Sequence, residues 1–135
     1  MTPLELCSAA RQAMENAYVP YSGFRVGAAL LCRDGTVYTG CNIENAAFTP
    51  TVCAERTAVF KAISEGRRDF AAVAVASGRA TGEEAAFPPC GVCRQVLAEF
   101  CSPDMPVYVL GKGEKIDEYR LSDILPFAFT PEFMK

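Results

Sequence analysis

The stretch TVCAERTAVFKAISEGRRDFAAVAVA, residues 51–76, predicts a helix followed by a buried strand. Residues 51–66 carry apolar side chains at helical spacing, including Val59 and Ile63, and end in a glycine that can terminate a helix. Residues 71–76 alternate Ala and Val densely enough for a strand that is covered on both faces. This order is typical of an α/β fold.

The segments on either side of this stretch extend the same pattern. Thr2 and Glu5 form a capping box for a first helix, whose apolar spacing continues to Tyr18. The other predicted elements are strands at 24–32 and 36–40 joined by a turn at 33–35, a loop at 77–89, a helix at 90–100, strands at 106–110 and on to 119, and a helical turn at 122–125. The order α-β-β-α-β-α-β-β predicts a three-layer α/β/α fold with a mixed sheet of roughly five strands.

Length and composition indicate a single domain over residues 1–135. No window approaches the apolar length of a membrane span, and the N-terminus lacks the pattern of a signal peptide. We therefore expect a soluble, cytoplasmic protein with no membrane partner. The seven cysteines are an odd number for a disulfide framework, so metal binding or core packing is the expected use.

Charge and histidine content exclude several classes of function. The net charge is −3, and the only basic doublet is Arg67-Arg68, so a nucleic-acid polymer is not an expected partner. The chain has no histidine, which removes Ser-His and Cys-His nucleophilic systems and every histidine metal ligand. Any chemistry must therefore use Cys, Glu, Asp, Lys, Arg or Tyr.

Two cysteine signatures predict a catalytic zinc site. One is Cys53-Ala54-Glu55-Arg56, and the other is the C-x-x-C pair Cys90 and Cys93 after a double proline. Three thiolates leave the fourth tetrahedral position of Zn²⁺ open, as in catalytic sites. Glu55 is then expected to move protons and not to bind the metal. Alone, each signature has an ordinary explanation: a C-x-x-C is as often structural, and an acid in a first helical turn is common.

Three thiolates also carry more negative charge than Zn²⁺ neutralises. Cys53 and Cys90 both stand at predicted helix starts, which supply partial positive charge. Arg56 and Arg94 each lie close after a ligand, and both are predicted to hydrogen-bond the sulfurs and compensate their charge. The other four cysteines are predicted to be small packing residues without a metal role: Cys7, Cys32, Cys41 and Cys101.

Four motifs in order give the chain a family resemblance over nearly its whole length. They are YVPYSGFRVGAA at 18–29, NIENA at 42–46, the paired cysteine signatures, and LPFAF at 125–129. Together they resemble the cytidine deaminases of the small, homotetrameric type. Phe48 departs from this pattern, since the family usually has Tyr there, and residues 81–87 match no motif.

The resemblance implies roles for the residues of these motifs. Asn42 and Glu44 are expected to hydrogen-bond ribose hydroxyls, and Phe24 to pack against the nucleoside. Phe129 is expected to reach the site of a neighbouring subunit in a homotetramer with composite active sites. The backbone N–H of Ala54, together with Glu55, is expected to meet the polar edge of the pyrimidine. One Zn²⁺ per subunit is implied.

The predicted function is therefore zinc-dependent hydrolytic deamination of cytidine and deoxycytidine to uridine and deoxyuridine, with release of ammonia, in pyrimidine salvage. Two alternatives stay open at this point. One is deamination of a related small molecule such as blasticidin S. The other is a structural zinc module without catalysis, in which a further cysteine would complete the metal site and Glu55 would be incidental.

Overall fold

One mixed sheet runs through the computed structural model, which describes residues 1–135. Its strands are β1 (Phe24–Cys32), β2 (Val37–Cys41), β3 (Phe70–Arg79), β4 (Glu84–Ala85), β5 (Pro106–Leu110) and β6 (Ile116–Arg120). The spatial order is β2-β1-β3-β5-β6, and the short β4 pairs with β3. Only β3 and β5 are parallel.

Helices cover both faces of this sheet. They are α1 (Pro3–Ala13), α2 (Ala54–Ser64), α3 (Gly91–Phe100) and the short α4 (Leu121–Ile124). Three 3₁₀ segments are also present, at Met14–Asn16, Lys112–Glu114 and Pro131–Met134. None of the helices combines the length and the apolar character that a bilayer crossing requires.

Alanine and valine alternate along residues 72–76 of β3, so alanines face one side of the sheet and valines face the other. Ala72, Ala74 and Ala76 pack under α1, whereas Val73 packs in the core beneath α2 and α3. Alternate strand residues point to opposite faces, so the Ala-Val pattern places small residues under one helix layer and larger ones under the other. This arrangement confirms the predicted α/β/α layering.

Two predicted boundaries are wrong. The first helix ends at Ala13, and Tyr18 instead forms a bridge with Ile43. The helix tightens into a 3₁₀ turn at Met14–Asn16 and the backbone is extended at Ala17, because the Tyr18 amide donates to the Asn42 carbonyl and the Tyr18 carbonyl accepts from the Glu44 amide. The predicted 77–89 loop contains the end of β3 and all of β4, which make a tight hairpin and raise the number of strands to six.

Gly40 lets α2 approach the sheet closely. A Cβ at this position would lie 2.6 Å from both the Ala54 carbonyl oxygen and the Ala58 amide nitrogen. We expect Gly40→Ala to destabilise the fold by about 1–3 kcal/mol, because helix backbone cannot move aside as a side chain can. Gly91→Ala is the matched control, since a Cβ there meets nothing within 4 Å. Thermal denaturation at equal protein concentration measures the difference, and equal midpoints for the two variants would contradict this account of the packing.

Candidate metal centre and active site

The three predicted ligands converge at the start of two helices. Cys53 is the N-cap residue of α2, Cys90 is the N-cap residue of α3, and Cys93 lies in the first turn of α3. Both N-cap residues have extended backbone, and neither side chain caps its own helix, so both thiols remain available. α2 therefore begins at Ala54 and not at 51, and α3 begins at Gly91 and not at 90. Cys53 and Cys90 each lie directly before the first residue of a helix.

The sulfur spacing fits one zinc ion. The Cys53 and Cys90 Sγ atoms are 3.7 Å apart, and those of Cys90 and Cys93 are 3.5 Å apart. Zn–S bonds of about 2.3 Å in a tetrahedron place sulfurs about 3.8 Å apart. The cluster contains these three cysteines alone, with no fourth Cys, Asp or Glu ligand atom among them. A site with three protein ligands and one open position is typical of catalytic zinc.

Arg56 supports the thiolate form of the cluster. Its Nη2 donates to the Cys53 Sγ at 3.2 Å, as the sequence predicted. Hydrogen bonds from Cys93 and Arg56 lower the pKa of the Cys53 thiol to about 5, although burial opposes this shift. The pKa of Cys93 is raised, chiefly by its hydrogen bond to the Cys53 sulfur and then by burial. The chain thus holds a thiolate at this point through its own contacts.

Arg94 does not contact the sulfurs, and this prediction is wrong. Its Nε donates to the Pro89 carbonyl at 2.6 Å, and its Nη1 donates to the Ile124 carbonyl at 2.8 Å. These two acceptors lie just before Cys90 and in α4, so the guanidinium joins the ligand segment to the C-terminal region. Arg94 therefore positions the Cys90 segment through backbone hydrogen bonds.

Glu55 is buried beside the cluster, in the first turn of α2. Its side chain lines a cavity together with Cys53 and Cys90, and the residue is only 3% exposed. The pKa of the carboxyl group is raised to about 7, chiefly by burial and also by the nearby Cys53 charge, while the backbone amide of Glu55 and the Arg56 guanidinium oppose the rise. A group that titrates near neutrality can both accept and deliver a proton.

The cavity next to the cluster has a volume of about 160 Å³. Besides Glu55 and the cysteines, its lining includes polar and apolar residues from five parts of the chain: Val26, Asn42, Glu44, Thr51, Val52, Ala54, Val75, Phe87 and Pro88. The structure therefore brings the predicted Asn42, Glu44 and Ala54 to the same cavity as the metal cluster.

Asn42 is held in place by strand β1. Its Oδ1 accepts from the Val26 amide at 2.8 Å, and its Nδ2 donates to the Phe24 carbonyl at 2.9 Å. A carboxamide has two N–H groups and two acceptor lone pairs, so one donor and one acceptor position remain available. The residue is therefore oriented by the fold and still able to bind a ligand hydroxyl.

Glu44 is oriented by the segment that precedes β1. Its carboxylate accepts from the Tyr21 amide at 2.9 Å and the Ser22 amide at 3.1 Å, and it also accepts from the Ser22 hydroxyl. These contacts, led by the Ser22 hydroxyl, lower the pKa of Glu44, although desolvation opposes them. An ionised carboxylate with remaining lone pairs is a strong acceptor for hydroxyl groups.

The predicted substrate-binding aromatic residues, Phe24 and Phe129, are not part of the cavity lining. Phe24 packs edge to face against Phe87, with ring centroids 6.3 Å apart. Phe129 is 57% exposed at the C-terminus, where its ring stacks on Phe133 and its carbonyl accepts from the Gln95 side chain. Phe48 is exposed and contacts the edge of Tyr21.

Phe87 is the one aromatic residue of the cavity lining, and the sequence interpretation did not predict it as a site residue. It lies in the 81–87 segment, to which no motif was assigned, and its position in the cavity depends on how that segment folds back after β4. The only local signal was an aromatic residue directly before the double proline of the second cysteine signature. Val26 and Val75, which also line the cavity, carried no signal beyond that of ordinary strand residues.

Similarity to known proteins agrees with this geometry. Residues 2–109 match the family model for the cytidine and deoxycytidylate deaminase zinc-binding region. A cytidine deaminase of Sporosarcina psychrophila is 52% identical, covering 95% of this chain and 91% of that protein. One from Halalkalibacterium halodurans is 54% identical, with 96% and 95% coverage.

Solved structures show the same relationship in three dimensions. A 1.6 Å crystal structure of cytidine deaminase from Burkholderia pseudomallei superimposes with a TM-score of 0.87 at 44% identity, covering 96% of this chain and 100% of that one. The cytidine deaminase of Mycobacterium tuberculosis gives a TM-score of 0.75 at 41% identity, with 93% and 94% coverage. With the family model and these relatives together, the chain belongs to the cytidine and deoxycytidylate deaminase family of enzymes.

Proposed function

We propose that this protein catalyses hydrolytic deamination of cytidine and deoxycytidine, which yields uridine or deoxyuridine and ammonia. The observation that carries the proposal is the buried Glu55, which shares one cavity with a three-cysteine cluster and with Asn42 and Glu44. The candidate metal ligands and the side chains that would bind a ribose thus share one cavity, which supports the proposal. The cytidine deaminases to which the chain is similar support the same substrate class.

Cys53, Cys90 and Cys93 would hold one Zn²⁺ per subunit, which supplies Lewis-acid activation of water when bound. Glu55 carries both protons of the attacking water in turn, the first to the ring nitrogen N3 and the second to the departing amine, so that the water oxygen becomes the C4 carbonyl and ammonia leaves. This exchange needs a group that changes protonation state near neutral pH, and burial gives Glu55 that property. Arg56 offsets thiolate charge through its contact with Cys53.

Substrate orientation is assigned to the other cavity residues. The Ala54 amide is at the first position of α2, where an N–H has no partner within the helix and can donate to the pyrimidine. Asn42 and Glu44 bind ribose hydroxyls with the donor and acceptor positions that their own contacts leave available. The Glu44 carboxylate also disfavours a phosphorylated sugar, so a free nucleoside is preferred to a nucleotide.

A substrate panel tests this function. Zinc-loaded protein is mixed separately with cytidine, deoxycytidine, cytosine, CMP and blasticidin S, and loss of the aminopyrimidine absorbance is followed. We expect turnover of the two nucleosides and little turnover of cytosine or CMP. Turnover of blasticidin S alone would assign a different deaminase activity. No turnover of either nucleoside would disprove the proposal.

We also propose that the active site is completed in a homotetramer, with Phe129 contributed by a neighbouring subunit. Phe129 does not line the cavity of its own chain, and the nearby Phe127 and Phe133 are also exposed. A group of neighbouring exposed aromatic side chains is typical of an interaction surface.

We also propose that the enzyme is cytoplasmic, because its seven free cysteines suit a reducing compartment.

Subunit complementation tests the composite site. Glu55→Gln and Phe129→Ala proteins are each expected to have low activity alone. Co-expression of the two should restore activity severalfold, because mixed oligomers contain sites with an intact Glu55 from one chain and an intact Phe129 from another. Chromatography with light scattering measures the oligomer. A monomer, or an absence of restoration in mixed oligomers, would contradict the composite site.

A further inference from the structure

Two segments that carry candidate metal ligands line the cavity, and they supply unlike groups. The segment around Cys53 supplies the Ala54 backbone and the Glu55 carboxyl, which form the polar wall. The segment leading into Cys90 supplies Phe87 and Pro88, which offer no polar side-chain atom and form the apolar wall. A ligand in the cavity meets hydrogen-bonding groups from one segment and apolar surface from the other.

The pyrimidine ring has a matching pair of edges. N3, together with the groups on C2 and C4, forms a polar edge, whereas C5 and C6 carry only hydrogen. If the polar edge faces Ala54 and Glu55, the C5–C6 edge is directed away from them, toward the remaining lining of the cavity. Phe87 is the one aromatic side chain in the cavity lining, so its ring is the largest apolar group available to that edge.

The Phe87 ring packs against Phe24, and the residues around both rings are tied to the sheet. The two rings meet edge to face at 6.3 Å with an interplanar angle of 69°. The Arg79 guanidinium lies 4.4 Å from the centroid of the same Phe24 ring. Two residues before Phe87, Ala85 pairs with Ser77 of β3 and accepts a hydrogen bond from its hydroxyl. Phe87 is therefore positioned by its contact with Phe24 of β1 and by the pairing of β4 with β3.

We propose that Phe87 is a specificity-determining residue that closes the cavity against substituents at C5 of the pyrimidine. This inference rests on the proposed deaminase function and extends it to the shape of the base. Cytosine nucleosides with hydrogen at C5 fit between the walls, and those with a methyl group at C5 meet the Phe87 ring. An apolar pocket typically discriminates one methyl group by about 10–200-fold.

The test compares kcat/KM for cytidine and for 5-methylcytidine in the parent and in Phe87→Ala. We expect the ratio of 5-methylcytidine to cytidine to rise at least about tenfold in the variant. Phe87→Leu should give a smaller rise, because it keeps part of the apolar volume. The ratio of deoxycytidine to cytidine should stay within about twofold, since the ribose contacts at Asn42 and Glu44 are untouched.

Phe60→Ala is the matched control, because Phe60 has similar exposure to Phe87 but lies on α2 outside the cavity lining. Its 5-methylcytidine ratio should equal that of the parent. An unchanged ratio in Phe87→Leu and Phe87→Ala, with cytidine turnover retained, would overturn the role of Phe87 alone. A parent protein that deaminates neither cytidine nor deoxycytidine would overturn the underlying function as well, so the two failures are distinguishable.

Discussion

Glu55→Gln is expected to lower kcat for cytidine by about 10²–10⁴-fold while the zinc content stays at the parental level. Glutamine has nearly the same shape as glutamate and stays neutral, but it cannot accept a proton from water and return it to the substrate. Because Glu55 is not part of the three-cysteine cluster, its replacement removes no metal ligand. Steady-state kinetics and zinc analysis on the same preparation measure both quantities.

The control for this variant is Glu99→Gln, which neutralises an exposed carboxylate on α3. It should retain activity within about twofold of the parent, since surface substitutions away from special features have small effects. If Glu55→Gln retained near-parental kcat, proton transfer would have to be assigned to another group. Loss of zinc in that variant would instead give the carboxyl a role in holding the metal site together.

Cys93→Ser is expected to remove both zinc and activity. Cys93 is fully buried at the start of α3, and its sulfur belongs to the cluster of three cysteines proposed to hold the metal. Loss of an outer-shell partner already lowers metal affinity by 10–100-fold, so loss of a ligand should lower it by more than about 100-fold. Metal analysis after dialysis and thermal denaturation with and without added zinc measure the effect. Added zinc should stabilise the parent and leave the variant unchanged.

Cys101→Ser is the matched control for that experiment. Burial raises the pKa of the Cys101 thiol to about 12, so it is a neutral thiol outside the cluster. A hydroxyl in its place should cost about 1 kcal/mol of stability or less, because the residue is only partly buried. Its zinc content should nevertheless match that of the parent. Equal zinc loss in both variants would indicate that general destabilisation, and not ligand removal, empties the site.

Local patterns in the sequence predicted most of the regular structure. Capping residues, the turn at 33–35 and the Ala-Val alternation of β3 all report interactions between neighbours in the chain, and the structure confirms each of them. The end of α1 was predicted too late, because the bridge between Tyr18 and Ile43 joins segments that are distant in the sequence and leaves no local signal. β4 was missed, because a two-residue strand has too few positions to show a period.

The sequence by itself determined the family, and it predicted the metal ligands and the acid-base group, since these depend on residue type and short spacing. Only the tertiary structure decided which side chains meet across long separations. It placed Cys53 beside Cys90, 37 residues away, directed Arg94 to backbone carbonyls and not to sulfur, and turned Phe87 into the cavity. Such contacts result from the packing of whole elements, so no single segment of the chain contains the information that predicts them.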